Sequence, residues 1–358
     1  MSKKMRDSNI ELLRILAVMG VVLLHFNGIY GNAFEYVVAN SVTDYMLRYL
    51  EGLAAPAVNL FVLITGYYMC DSYRRDIVKP LNLIVQVVLL GEVFYLVTVL
   101  VNGISTFSVQ SAVLALVPCN YYVVLYITLY FVSPYINLAL RRLEKRQWKQ
   151  MLCISLCLFS VFPIVIDVLQ EVLEREFQGL NPIGLQGDQA GYTIVQFCLM
   201  YVIGAYFKKI EVKWSKRRSL SVLAICSILL LVWCKILPLT AWTYCNPIVI
   251  LEAVAIFLLF QQIHIRSIWI NRASKAVFTC FLSHGVFVRL LPVEMMVKQN
   301  VCILFLLLIA TLVGVYLVCW GVYGIYYYFE KYAIKNILKI FDKVVLNVEP
   351  SDEGETCK

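Results

Sequence analysis

Charged side chains are scarce in this sequence. They make up 15% of its 358 residues, whereas 61% of the residues are hydrophobic. A soluble domain keeps roughly a quarter of its residues charged. This chain has too few charges to cover soluble globules with a polar surface, so its composition excludes a soluble protein and predicts a polytopic membrane protein.

Two further sequence signatures are missing, and the positions of the basic residues argue against a third class of protein. The 12 cysteines contain no C-x-x-C pair, so we expect neither a disulfide nor a metal site. No small-residue cleavage site follows the first apolar run, which is therefore expected to remain as a membrane helix rather than be removed as a signal peptide. The 31 Lys and Arg residues fall in short clusters between apolar runs, as in cytoplasmic membrane loops, which argues against nucleic acid as a partner.

Ten segments have the apolar composition of membrane helices, which need about 20 mostly apolar residues each. They lie at 9–29, 53–70, 80–102, 121–140, 149–170, 193–208, 219–238, 244–263, 274–292 and 300–328. The predicted fold class is therefore all-α, a polytopic membrane protein of about ten transmembrane helices. Two segments fit least well: 193–208 is short, and 274–292 is interrupted by His284 and Arg289.

The positive charges indicate the orientation. With ten helices and a cytoplasmic N-terminus, 25 of the 31 basic residues fall inside and five outside, while Arg14 lies within the first helix. This asymmetry follows the positive-inside rule and predicts that both termini are cytoplasmic. We expect a membrane domain over 1–330 and a tail over 331–358 that forms an amphipathic surface helix before a disordered end. The longest outer connection, 171–192, fits either a cap over a site or an ordinary solvated loop.

The first membrane helix contains the stretch "NIELLRILAVMGVVLLHF", 9–26, with three ionisable residues. Arg14 and His25 are eleven residues apart, so they lie on one stripe of the helix, separated by about 16 Å along its axis. Glu11 lies one turn before Arg14 and can pair with it. Alone, Arg14 fits a side chain that reaches the inner headgroups, and His25 fits a structural hydrogen bond. Their alignment favours a functional site.

This arrangement has a chemical interpretation. An arginine binds phosphate through two parallel hydrogen bonds, and a neutral histidine can take a proton from a hydroxyl near pH 7. A stripe with an anion-binding group near the inner boundary and a base deeper in the membrane fits a long, phosphate-bearing donor.

Three other polar residues are candidates for the same site. Arg74 and Arg75 follow the second helix at its cytoplasmic end, where they fit either an ordinary positive flank or binding of the same phosphates. His284, in "CFLSHGVF" of the ninth segment, fits either a second acid–base group or a structural one.

Five more residues extend the candidate site. Glu92 and Glu252 fall within membrane segments, so they are expected to face the protein interior, where they would orient the base, contact the acceptor or pair with Arg or Tyr. Asn120, Tyr121 and Tyr122 begin the fourth segment at the outer surface. Aromatic residues there fit an interface belt or stacking on sugar rings.

These motifs together resemble acyltransferase family 3, especially its branch that O-acetylates bacterial surface polysaccharides. The resemblance covers roughly residues 6–329 and rests on "RDSNIELLRILAVMGVVLLHF", "NLFVLITGYYM", "NYYVVLYITLYFVSPYIN" and "FLSHG". It implies that His25 acts as a base and that Arg14, Arg74 and Arg75 hold acetyl-coenzyme A. The chain departs from the family in having Tyr122 where Trp is more common, and in the adjacency of its two arginines.

The resemblance implies an O-acetyltransferase of the bacterial inner membrane. Acetyl-coenzyme A would be the donor and no metal would be needed. The acceptor would be a hydroxyl of an exopolysaccharide, capsule or other lipid-linked glycan, met directly within the membrane domain. His284 and Glu92 would assist His25, and Glu252 would contact the acceptor together with Asn120, Tyr121 and Tyr122. A homo-oligomer stays open, as does the alternative of a proton-coupled transporter or polysaccharide flippase.

Overall fold

The structure, a computed structural model, describes residues 6–177, 180, 191–341 and 343–348. Within these residues, seven helical segments are long and apolar enough to cross a membrane. They are Ser8–Asn27, Val42–Met69, Val78–Asn102, Val109–Arg141, Lys145–Leu173, Lys216–Ile236 and Val301–Phe341. The prediction of an all-α polytopic membrane protein is therefore confirmed. The count of ten helices and the cytoplasmic termini stay predictions.

Seventeen α-helices make up the described part of the chain. The first nine are α1 Ser8–Asn27, α2 Ala33–Tyr36, α3 Val42–Ala54, α4 Ala57–Met69, α5 Val78–Asn102, α6 Val109–Leu116, α7 Tyr121–Arg141, α8 Lys145–Leu156 and α9 Phe162–Leu173. The others are α10 Ile194–Ile210, α11 Lys216–Ile236, α12 Pro247–Gln261, α13 Ile268–Ala273, α14 Val277–Arg289, α15 Val293–Val297, α16 Val301–Phe329 and α17 Lys335–Leu338.

Short elements link these helices. Helices α8 and α9 are joined by a π-helical turn at Cys157–Val161, and α16 and α17 by another at Glu330–Ile334. Turns of 3₁₀-helix occur at Ile104–Thr106, Ser274–Ala276 and Lys339–Phe341. Two strands, β1 Arg74–Asp76 and β2 Val345–Asn347, form an antiparallel pair.

Three of the ten predicted segments have no counterpart among the seven long helical segments. Segment 193–208 overlaps α10, which has 17 residues and ends at Ile210, 244–263 contains α12 with 15, and 274–292 contains α14 with 13. Each is shorter than the roughly 20 residues that span a bilayer at 1.5 Å per residue. The predicted outer connection 171–192 lies partly outside the described residues, at 178–179 and 181–190.

Helix α1 lies at the centre of the bundle. It contacts α3, α4, α12, α14 and α16, and Gly20 allows it to approach Ala57 of α4 closely. Twelve of its 20 residues are buried, including Glu11 at 5% exposure. Because neighbouring helices surround α1, its polar side chains face protein rather than lipid, as expected for ionisable residues in a membrane helix.

Helices α4 and α10 pack backbone to backbone. A Cβ atom on Gly66 would lie 2.0 Å from the carbonyl oxygen of Tyr201, and one on Gly204 would lie 2.1 Å from that of Leu63. Only glycine fits at such distances, and small residues are the usual means by which membrane helices approach closely. This contact fixes α4 beside α1, where it forms part of the candidate site.

The tail packs onto the membrane domain as far as it is described. Strand β2 pairs with β1 in the register Arg74 to Asn347 and Asp76 to Val345. Leu338 is buried against the start of α5. Residues 349–358, where the disordered end is predicted, lie outside the described residues.

Candidate functional site

The polar stripe of α1 begins with a small ionic cluster. Nη1 of Arg14 lies 3.2 Å from Oε1 of Glu11, the pair that the helical spacing predicts. Arg6 adds a second contact at 3.5 Å to the same oxygen. The Arg14 side chain retains 30% of its exposure, so it can still meet a ligand.

A cavity of about 670 Å³ opens beside this cluster, at the end of the molecule where α1 begins. We call it the basic cavity. Ligand sites in proteins usually measure about 300–1,000 Å³. Its lining holds five basic side chains, Arg6, Arg14, Lys79, Lys275 and Lys335, and two acidic ones, Glu11 and Glu330. This excess of positive charge favours an anionic ligand.

Aromatic side chains form another part of the cavity lining. Phe61, Tyr122 and Phe281 line it, and the ring centroids of Tyr122 and Phe281 are 4.7 Å apart. Phe281 also approaches His284, one turn further along α14, with ring centroids 6.3 Å apart. The Tyr122–Phe281 pair therefore connects the basic cavity to the histidines described next.

His25 and His284 form a direct pair between α1 and α14. Nδ1 of His25 lies 2.5 Å from Nε2 of His284, and the two rings are nearly parallel, 12° apart. His284 is 3% exposed, and its other nitrogen, Nδ1, lies 2.9 Å from the carbonyl oxygen of Cys280. Both histidines are candidate site residues in the sequence, and the fold brings them together.

The hydrogen bonds of the histidine pair determine its tautomers. A carbonyl oxygen only accepts, so Nδ1 of His284 must donate to Cys280. In neutral His284, Nε2 is then the acceptor, and Nδ1 of His25 donates to it. This assignment leaves a lone pair on Nε2 of His25, which is the form that a general base requires.

Tyr30 lies against the histidine pair, and Arg289 lies against Tyr30. The Tyr30 ring centroid is 4.9 Å from that of His25 and 6.0 Å from that of His284. Arg289, which is exposed, places its guanidinium 4.6 Å from the Tyr30 centroid. A Cβ atom on Gly285 would lie 2.4 Å from the Tyr30 ring, so glycine makes this packing possible.

Arg75 is held by protein groups. It is 1% exposed, and its Nε lies 3.0 Å from the carbonyl oxygen of Tyr130. That oxygen lies four residues before Pro134, which has no N–H to donate to it. Arg75 also donates to the hydroxyls of Ser133 and Ser72. The hydroxyl of Ser133 also donates to the Tyr130 carbonyl oxygen, so Ser133 and Arg75 together satisfy the helix where proline interrupts it. Arg75 is not among the residues that line the basic cavity.

Arg74 points elsewhere. It is exposed in β1, pairs with Asn347 of β2, and is absent from the cavity lining. Arg74 and Arg75, which are predicted to bind the donor together with Arg14, thus do not line the cavity that Arg14 lines. Lys79 and Lys275 line the cavity instead, although the sequence predicts no donor-binding role for them.

Glu92 and Glu252 lie apart from the histidine pair and the cavity. Glu252 is fully buried between α11 and α12, where its Oε1 accepts a 2.6 Å hydrogen bond from Ser227. Its Oε2, like Oε1 of Glu92, has no partner among the described residues. Both carboxylates face the protein interior as hydropathy predicts, but neither contacts His25 or His284.

The three residues at the start of α7 that are predicted to bind the acceptor make different contacts. Asn120 caps the helix, since its Oδ1 accepts from the N–H of Val123 at 3.2 Å. Tyr121 packs edge-on against Tyr192, with ring centroids 4.9 Å apart. Only Tyr122 of the three lines the basic cavity.

The described residues contain no group of three or more His, Cys, Asp or Glu side chains placed to hold a metal ion.

Comparison with known proteins gives one finding. The family model of acyltransferase family 3, an acyltransferase domain, matches residues 7–324. No curated protein and no solved structure matches the chain. The matched range includes α1, α14 and most of the cavity lining. The chain therefore belongs to acyltransferase family 3, and with its apolar helices it is a membrane acyltransferase.

Proposed function

We propose that this membrane acyltransferase moves an acetyl group from acetyl-coenzyme A to a hydroxyl of a bacterial surface glycan. The enzyme lies in the inner membrane, and the donor enters the basic cavity from the cytoplasm. The acceptor, an exopolysaccharide, capsule or lipid-linked saccharide, approaches from the outer side. The observation that carries this proposal is the hydrogen-bonded pair of His25 and His284, which leaves Nε2 of His25 free to accept a proton.

His25 acts as general base and then as general acid. Its Nε2 takes the proton of the acceptor hydroxyl while the oxygen attacks the thioester carbonyl carbon. The tetrahedral intermediate collapses, the C–S bond breaks, and the coenzyme A thiolate leaves. The proton on Nε2 passes to that sulfur, so the products are the acetyl ester and coenzyme A. His284 accepts the hydrogen bond from Nδ1 and thereby holds His25 in the required tautomer.

The basic cavity supplies donor binding. The phosphates of coenzyme A carry several negative charges, and Arg14, Lys79 and Lys275 offer matching cations on three separate elements. A thioester at the far end of the pantetheine arm must pass Tyr122 and Phe281 to reach His25, because neither histidine lines the cavity. These two aromatic side chains therefore position the acyl group.

The acceptor meets the site beside Tyr30 and Arg289. Tyr30 contacts both histidines, and the exposed Arg289 guanidinium lies over its ring. A sugar ring stacked on Tyr30 would bring a hydroxyl toward His25, and Arg289 would favour an acidic glycan.

The family match favours this proposal over the transporter or flippase. A cell-based experiment separates the two. Surface polysaccharide is collected from cells with the wild-type chain, with His25→Ala, and without the protein, and its acetyl esters are measured by NMR. We expect the ester to disappear in the last two samples while the amount of exported glycan stays the same. Loss of export with unchanged acetylation of precursors would refute the transferase.

A further inference from the structure

The basic cavity extends beyond the part of the chain that the family model matches. The match ends at residue 324. Three residues that line the cavity, Tyr327, Glu330 and Lys335, follow that end. The sequence alone predicts that the membrane domain ends at 330, so it gives Lys335 to a separate tail. The structure thus raises the question of what residues 327–341 and 343–347, which we call the C-terminal wall, do at the site.

Apolar packing holds the C-terminal wall against α5. Ile334 and Leu338 are 5% and 7% exposed, and they pack with Tyr326 against Val78, Leu81, Val85 and Leu89. Burial of such apolar side chains stabilises the contact. The lysines of the same segment remain exposed. Ile337 and Ile340 of the same segment are exposed as well. The segment therefore has one packed side, formed by Ile334 and Leu338, and an exposed remainder that includes Lys335.

Polar contacts fix the same segment in register. Asn82 of α5 donates to Oε1 of Glu330 at 3.1 Å and accepts from the hydroxyl of Tyr326 at 3.1 Å. Beyond Phe341, strand β2 pairs with β1. The wall is thus attached at both ends.

A π-helical turn lies at the point where the wall enters the cavity. It spans Glu330–Ile334, immediately before Lys335. Such turns add a residue to the helix and often occur at functional sites, because they change the direction of the side chains that follow. Among the described residues, no carboxylate lies within salt-bridge distance of Lys335. Its ammonium group is therefore available to an anion.

We propose that the C-terminal wall is part of the donor site and that Lys335 binds a phosphate group of coenzyme A. This inference rests on the proposed function, which places the donor in the basic cavity. It adds a donor-binding residue that lies outside the matched family domain. In this proposal the pairing of β2 with β1 holds the far end of the wall in place.

The test is the affinity of coenzyme A for the purified full chain, measured by isothermal titration calorimetry in detergent. We expect Lys335→Ala to weaken binding by about threefold to tenfold, as for one partly exposed ion pair with a phosphate. Lys331→Ala is the matched control, because Lys331 is exposed on the same segment, contacts Tyr332 and does not line the cavity. Equal affinities for the two variants would overturn the inference.

A second pair of variants tests the attachment of the wall. A chain ending at residue 341 lacks β2, whereas one ending at residue 348 keeps it. We expect the shorter chain to bind coenzyme A more weakly than the longer one, and equal binding would overturn the role of β2.

Failure of the proposed function can be distinguished from failure of this inference, because the wild-type chain would then not bind coenzyme A at all. Weaker binding by Arg14→Ala together with unchanged binding by Lys335→Ala would overturn the inference alone.

Discussion

The two ends of the polar stripe on α1 are built differently. At one end, Arg14 shares the basic cavity with four other basic side chains from separate parts of the chain. At the other, His25 has one imidazole partner, His284, which is itself held by a backbone carbonyl. When several basic side chains bind one anion, the loss of a single side chain weakens the affinity only in part, because the other charges remain. A single chain of hydrogen bonds fails when one member is removed.

The largest effect is expected from His25→Ala. General-base catalysis contributes typically 10²–10⁴-fold, so we expect kcat for acetyl transfer to fall by about 10³-fold. The KM for acetyl-coenzyme A should stay within about twofold, because His25 is not part of the cavity lining. Steady-state assays with labelled acetyl-coenzyme A measure both values. A kcat within tenfold of the wild-type value would contradict the role of His25 as base.

Removal of the partner histidine should have a smaller effect of the same kind. His284→Ala leaves Nδ1 of His25 without its acceptor, so we expect kcat to fall by about 10–100-fold with KM unchanged. His284→Gln should recover part of the loss, because an amide oxygen can accept the same hydrogen bond. No difference between the Ala and Gln variants would show that the hydrogen bond does not position His25.

Substitution of a basic residue in the cavity should weaken donor binding and leave the chemical step unchanged. Arg14→Ala removes one of five basic groups, and we expect the KM for acetyl-coenzyme A to rise about tenfold while kcat changes little. The matched control is Arg74→Ala, since Arg74 is exposed in β1 and outside the cavity lining. Equal KM values for the two variants would remove Arg14 from the donor site.

Arg75→Ala should affect stability instead of donor binding. It removes the hydrogen bonds that Arg75 donates to the carbonyl oxygen of Tyr130 and to the hydroxyl of Ser133, a loss of about 1–3 kcal/mol. The hydroxyl of Ser133 still donates to the Tyr130 carbonyl oxygen at 2.9 Å. We expect a lower Tm in a thermal-shift assay and an unchanged KM for acetyl-coenzyme A in the folded fraction. A raised KM with an unchanged Tm would mean that Arg75 binds the donor directly.

The sequence predicts the stripe on α1 because one helix fixes it. The period of 3.6 residues aligns Arg14 with His25, and the membrane environment requires that such residues face protein. His284 is a candidate both from its place within a membrane segment and from the family motifs, and the fold places it against His25. One helix and one recognised motif are enough to name these residues, whereas their catalytic and donor-binding roles stay predictions.

The rest of the site depends on which elements meet. Lys79, Lys275 and Lys335 come together only because α5, the 3₁₀ turn before α14 and the C-terminal wall surround one cavity. Hydropathy identifies such lysines as flanks of membrane helices and says nothing about their shared ligand. It likewise places Glu92 and Glu252 inside the bundle without naming their neighbours.

Arg75 shows that a signal was present in the sequence. Pro134 frees the carbonyl oxygen of Tyr130, which then accepts from the hydroxyl of Ser133 and from Arg75. The sequence does not say which of the two adjacent arginines supplies the second donor. That choice depends on the direction of β1, which buries Arg75 and exposes Arg74.

The most direct test of the account compares donor binding and transfer in the same preparations of His25→Ala and Arg14→Ala. Equilibrium dialysis with labelled acetyl-coenzyme A gives the affinity, and transfer to a purified glycan gives the rate. The account predicts that His25→Ala binds the donor like the wild type and transfers almost none of it. It predicts that Arg14→Ala binds about tenfold more weakly and transfers normally at saturating donor. Loss of donor binding in His25→Ala, with transfer proportional to the donor still bound, would contradict the division between a binding end and a catalytic end.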